Sequence, residues 1–213
     1  MLVILLRYLF DDQDEVFDRI GGPLLGIFPF VSMFVVTTVT MLRERVTGTL
    51  ERLMTLPLAK LDILLGYALA FGLTAVVQAT VVSLVAFGPL HLQVEGAKLV
   101  VVALAVANAT LGMALGLFAS AFARTEFQAV QFMPAIVFPQ MLLCGLIVAR
   151  EDMAGVLEAV SNVLPLTYAY DALARVTRGD SLGGRFALDV AVMLCATLLA
   201  LVLGALTLRR RTP

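Results

Sequence analysis

Residues 21–42 read GGPLLGIFPFVSMFVVTTVTML, and Arg43 closes the run. No charge interrupts them. The hydrocarbon core of a bilayer, about 30 Å thick, takes roughly 20 apolar residues of helix to cross. Lipid offers no water to an unpaired backbone amide, so such a stretch spans as an α-helix. Four more runs follow. Residues 63–88, 99–123 and 127–149 carry no charge, and 186–208 carries one, Asp189. The expected fold class is all-α: a polytopic helical membrane protein with five complete transmembrane helices plus a partial one at the N-terminus. The whole chain agrees. Of 213 residues, 61% are hydrophobic and 15% charged, with a mean hydropathy of +0.98. A soluble domain of this length could not hide that much apolar surface. The net charge of -1 gives no basic footprint for nucleic acid. Cys144 and Cys195 lie inside apolar runs and imply no disulfide framework.

The partial helix is residues 1–10, MLVILLRYLF, which are apolar but too short to cross and run into Asp11, Asp12, Asp14, Glu15 and Asp18. A signal peptide would place Lys or Arg before the apolar run. Two readings stay open: an anchor at the membrane surface, or the remnant of a first crossing helix whose beginning is missing from this chain. The second is preferred. The domain plan is then 1–10 as that remnant, 11–208 as the transmembrane domain, and 209–213 as a basic tail.

The connecting loops alternate in character. One side holds Arg43, Arg45, Arg52, Lys60, Arg124, Arg209, Arg210 and Arg211; the other holds Arg19, Lys98, Arg150, Arg175, Arg178 and Arg185. Lys and Arg favour the cytoplasmic side, most of all where they abut a span. This places 43–60 and the C-terminus in the cytoplasm. It places 11–20, 89–98 and 150–185 outside.

Catalytic signatures are missing. The sequence has no GxxxxGK[ST] loop, no HExxH and no CxxC. His91 falls in a short external loop, where a solvated role outweighs metal ligation. Thr37, Thr38, Thr40, Ser83 and Ser120 have no His or Lys beside them to act as a base, so nucleophilic catalysis in the membrane is a poor reading. The chain reads as a non-enzyme. Polar residues and prolines inside spans mark a path or a packing seam. The candidates for a translocation path or subunit seam are Gln78, Asn108, Gln131, Pro134 and Pro139, with Gln128 and Gln140 in the same proline-bearing stretch. Asp189 stands four residues after Arg185, which predicts a local ion pair. Gly112, Gly116 and Ser120, with Ala105 and Ala109 on roughly the same face, let backbones approach. Packing within the chain and packing between subunits are both open.

The most specific segment is Arg43-Glu44-Arg45-Val46-Thr47-Gly48-Thr49-Leu50-Glu51-Arg52-Leu53-Met54-Thr55-Leu56-Pro57. Gly48 or Thr49 can start a helix and Pro57 can stop it. Leu50, Leu53 and Met54 then form an apolar stripe, which must bury against the membrane surface or a groove on another protein. Surface-lying helices carry more Lys, Arg and aromatics than this one.

This segment resembles the coupling-helix region of ABC-2 type transporter permeases, above all the daunorubicin-type multidrug efflux permeases of bacteria. The resemblance extends to residues 122–126 (FARTE), to the proline-bearing run 127–149, to 162–168 (NVLPLTY), and to the basic Arg209–Arg211. It covers 21–211. It implies six spans per subunit, a second permease subunit as homodimer or heterodimer, and a cytoplasmic ABC ATPase that uses ATP and Mg, so that this chain itself binds no cofactor. It also implies short helices dipping into the outer leaflet within 150–185, and a multi-pass place in a bacterial cell membrane. An ATPase-coupling interface then falls on Arg43, Glu44, Arg45, Gly48, Thr49, Leu50, Glu51, Leu53, Met54 and Pro57. Spans with apolar walls and few fixed charges suit export of an amphipathic drug or lipid-like substrate. The alternatives are a polysaccharide or glycolipid exporter, for which the lack of Trp and only four Tyr are a poor fit, and a non-transporting membrane scaffold.

Overall fold

The computed structural model describes residues 14–53, 55, 57 and 60–207. The N-terminal stretch 1–10, the tail 209–213 and Met54 lie outside the described residues. Among those described, every regular element is helical. Four helices are long and apolar enough to cross a membrane, with windows of mean hydropathy 2.0 to 2.5. In chain order the elements are α1 (Asp14–Val46), α2 (Thr49–Leu53), α3 (Lys60–Phe87), α4 (Lys98–Ala119), α5 (Glu126–Phe132), a π-helical turn (Met133–Val137), α6 (Phe138–Leu143), a 3-10 turn (Arg150–Asp152), α7 (Gly155–Ser161), α8 (Pro165–Thr177) and α9 (Gly184–Thr207).

The long helices are α1, α3, α4 and α9. The fifth expected span, 127–149, takes another form. It is helical from Glu126 to Leu143, but in three pieces, and the backbone then bends through 144–148. Pro134 has no N–H to give, and its ring crowds the preceding turn. The chain widens there, and the Phe138 N–H donates to the Met133 carbonyl five residues back.

The centre of the bundle is the α1–α4 pair. A Cβ on Gly112 would stand 2.2 Å from the Phe30 carbonyl oxygen, and one on Gly116 2.5 Å from that of Phe34. The small-residue stripe therefore packs within the chain, and only glycine lets the two backbones come so close. Thr38 Oγ1 bridges the contact, donating to Phe34 O at 2.6 Å and lying 3.2 Å from Gly116 O. Ala105 and Ala109 pack with Met33, Ala75 and Ala79, which joins α3 to the pair. In the most apolar windows of α1 and α4, 61% and 56% of residues are buried, against 17% and 22% in α3 and α9. α1 and α4 are the core, and α3 and α9 its outer wall.

Connections segregate to two ends. At one end the 88–97 loop lies on α8: Glu95 N–H donates to Thr177 O and Gly96 N–H to Val176 O. Gly22 of α1 packs there against Thr177. At the other end lie the α1–α2 and α4–α5 junctions, joined by Arg43 and Glu126. Of the loops expected to alternate, 89–98 thus shares one end of the bundle with α8, and the start of 43–60 shares the other with 124–126. Within 150–185 the burial is confined mainly to α8, whose Leu166, Ala169, Ala172, Leu173 and Val176 lie in the main core, while residues 154–160 and 178–185 are exposed.

Candidate functional site at the Arg43 end

α1 continues past its apolar stretch, so Arg43, Glu44 and Arg45 form its last turn. Arg43 grips Glu126 with two parallel bonds, Nε to Oε1 at 2.7 Å and Nη2 to Oε2 at 3.0 Å. This fork geometry fixes orientation as well as distance. The Glu126 carboxyl is held below its ordinary range, chiefly by the hydrogen bond from Arg43. Both side chains are exposed, at 63% and 55%, so the pair's worth lies in registry rather than in stability. On the other face of α1, Glu44 accepts a hydrogen bond from the Tyr67 hydroxyl of α3 at 3.1 Å. The two bonds clamp the end of α1 to α5 and to α3.

Gly48 makes the turn into α2. Its φ of +77° is left-handed, and a Cβ there would meet nothing within 4 Å, so the backbone angle alone calls for glycine. The Thr47 and Thr49 hydroxyls lie 3.1 Å apart across this turn, and the Arg52 N–H donates to Gly48 O. α2 then runs only Thr49–Leu53, shorter than the predicted helix to Pro57. Pro57 is exposed in a bend before α3.

Of the apolar stripe, Leu50 and Leu53 are described, and both pack within the chain. Leu50, 4% exposed, packs with Met41, Ile63 and Leu117, and Leu53 packs against the same cluster. For Leu50, and in part for Leu53, α1, α3 and α4 supply a groove within the chain. What α2 turns outward is polar, Thr49 and Arg52, followed by Thr55, whose hydroxyl donates to Arg52 O at 2.7 Å. The side chain of Glu51, like Met54, is outside the described residues.

Beside this platform lies an apolar cavity of about 290 Å³, lined by Phe34, Leu115, Phe118, Ala119, Phe122, Phe132 and Ile136. It opens between α1, α4, α5 and the π-helical turn. Sequence periodicity gives no sign of it, because its lining residues come from three separate stretches of the chain.

The path candidates are not gathered on one line. Gln78, half-buried on α3, donates its amide N–H to Ser32 Oγ of α1. Asn108 is fully buried on α4, beside Gly26 and close to Leu173, and neither its Oδ1 nor its Nδ2 has a hydrogen-bond partner. Gln131, Pro134 and Pro139 sit on the exposed face of the broken helix. Gln140 is buried and donates to Ile136 O at 3.2 Å. At the far end, Asp189 pairs with Arg175 of α8 at 3.7 Å rather than with the predicted Arg185, which is exposed. Tertiary packing of α8 on α9 brings Arg175 to a carboxylate that the helical spacing assigned elsewhere. Arg150 reaches both Asp171 and Asn162. Burial pushes the Asp171 carboxyl up, and Arg150 and Arg175 oppose it. Among the described residues no three His, Cys, Asp or Glu side chains group to hold a metal.

Residues 1–177 match the family model described as ABC-2 type transporter. The chain is 28% identical over 161 residues to "ABC transporter G family member 20" of Dictyostelium discoideum, covering 76% of this chain and 22% of that protein. It is 24% identical over 158 residues to "Probable multidrug ABC transporter permease YbhR" of Escherichia coli K12, covering 74% and 43%. Against "ABC transporter G family member 23" of Dictyostelium discoideum it is 24% identical over 173 residues, covering 81% and 24%. The chain therefore spans less than half the length of each of these relatives.

Proposed function

Because this chain belongs to the ABC-2 type transporter family, we propose that it is the membrane-spanning permease subunit of an ATP-binding cassette exporter, driven by a separate cytoplasmic ATPase. That partner supplies ATP and Mg chemistry; this chain supplies the path and the lever. In this reading the Arg43 end faces the cytoplasm, with the C-terminus on the same side of a bacterial cell membrane. A second permease subunit completes the pore. The cargo is an amphipathic drug or lipid-like molecule, in keeping with spans whose walls are apolar.

The observation that carries the reading is the seating of α2. Leu50 roots this short helix among α1, α3 and α4, while Arg43 and Glu126 tie the same corner to α5. A force on Thr49, Arg52 or Pro57 from a closing ATPase is thereby delivered to four helices at once. Packed elements of this kind move as rigid bodies rather than absorbing the push. The contact itself is polar, with Arg52 and Thr49 as the exposed groups and Glu44, Arg45 and Gly48 holding their base.

The test is reconstitution of the purified chain with the ATP-binding protein encoded next to it. Cysteine at Thr49 is expected to cross-link to that protein, and Arg52→Glu is expected to lower ATP-driven efflux of a fluorescent amphipathic dye about tenfold, a loss of ~1.4 kcal/mol of coupling. Efflux and cross-linking unchanged in Arg52→Glu would overturn the assignment.

A further inference from the structure

The 290 Å³ cavity at the Arg43 end is lined wholly by carbon: Phe34 and Leu115 inside, Phe118 and Phe132 on its flanks, and Phe122 and Ile136 where it meets the surface. It has about twice the volume of the ~150 Å³ engineered cavity that stays dry and takes up benzene. Water gains nothing there, since a buried water needs two to four polar partners. The opening is on the outside of the bundle. Phe122 is 57% and Ile136 38% exposed, and the surface continues through Phe127 and Val130 of α5. In a membrane that face meets hydrocarbon, so the filler nearest to hand is an acyl chain. The mouth also has a polar counterpart. Arg124 is two residues from Phe122, hence within about 7 Å along the backbone. It is exposed and makes no ion pair among the described residues, whereas neighbouring Arg43 is spent on Glu126. A guanidinium binds a phosphate through paired N–H donors.

We propose that this cavity is a phospholipid site: one acyl chain lies among Phe34, Phe118, Phe132 and Ile136, and the lipid phosphate is held by Arg124. The site is internal to one subunit and needs only that the helices cross a bilayer, so it stands or falls apart from the transport reading. The chain inserts as a wedge between α1 and the π-helical turn, and keeps open a gap that close packing would otherwise shut.

The experiment uses the full chain in vesicles of mixed phosphatidylglycerol and phosphatidylcholine, doped with a phospholipid whose acyl chain carries a photoactivatable diazirine. Cross-linked residues are read by mass spectrometry. Labelling at Phe132 and Ile136 is expected to exceed that at Leu69 and Leu198, which are exposed on the outer helices, by about tenfold. Ala119→Phe fills the cavity and is expected to abolish the excess while leaving Leu198 labelling unchanged. Arg124→Gln is expected to lower it without altering helix content. Equal labelling of Ile136 and Leu198 in the unaltered chain would overturn the proposal with no variant required. So would persistence of the excess in Ala119→Phe, or in Ile136→Trp should the first variant fail to accumulate.

Discussion

At Gly112 the Phe30 carbonyl oxygen stands where a methyl group would have to go, and the obstacle is backbone, which cannot swing aside. Gly112→Ala is therefore expected to destabilise the chain by about 1–3 kcal/mol, the cost of overpacking a filled interior. Gly66→Ala, on the open face of α3, is the control and is expected to be neutral or stabilising by ~0.5–1 kcal/mol, since helix favours alanine. Thermal unfolding in detergent micelles separates the two. Asn108 runs the other way. Its amide is sealed in the core with both polar atoms unpartnered, so Asn108→Leu, close in volume, is expected to raise stability by about 1–3 kcal/mol. A lower melting temperature in that variant would mean that the amide has a partner in the populated state. The stripe of Gly112 and Gly116 was legible in the sequence as a place of close approach, but not its partner. Spacing names a face and is silent on what lies across from it.

At the scale of elements, the same silence explains α2. The apolar positions Leu50 and Leu53 were readable; that α1, α3 and α4 cover them was not, because the covering residues Met41, Ile63 and Leu117 come from three separate runs. The consequence is a sharp contrast between neighbours. Leu50→Asp places an unpaired carboxylate in a closed apolar cluster and is expected to abolish accumulation of folded protein. Arg52→Glu, two positions on and exposed, is expected to leave melting unchanged and to act on ATP coupling alone. The Arg43–Glu126 pair links segments far apart in sequence, so no local pattern announced it. Arg43→Glu or Glu126→Arg is each expected to depress ATP-driven efflux, and the double swap to restore it. The pair also has a pH sense. Because the folded-state pKa of Glu126 is lowered, the tie is intact above the ordinary carboxylate pKa and is lost as the pH falls through the lower folded value. Prolines 134 and 139 forecast a disturbed helix; they did not forecast that one would widen into a π turn while the other sits at the start of a fresh helix.

For the molecule as a whole, long apolar runs, three without charge and one with Asp189 alone, were enough to place four long helices, since length against bilayer thickness is a strict requirement. The burial of α8 was less visible, because a helix interrupted by Tyr, Asp and Arg does not look like core until Arg175 and Asp171 find their partners. The two-ended arrangement gives a direct test of sidedness. In a background with Cys144 and Cys195 replaced, a membrane-impermeant maleimide applied to intact cells is expected to label cysteine at His91 or Asp180 and to spare cysteine at Thr55. The reverse pattern would invert the molecule and remove the proposed ATPase contact.

The uneven burial of the four long helices has one more implication. α3 and α9 ask little of their side chains beyond oiliness, whereas α1 and α4 are held to particular atoms at particular places. Over evolutionary time the outer pair can drift among leucine, valine and isoleucine almost freely, and the inner pair cannot. A library of random variants selected for function would record that difference as two quiet helices and two noisy ones.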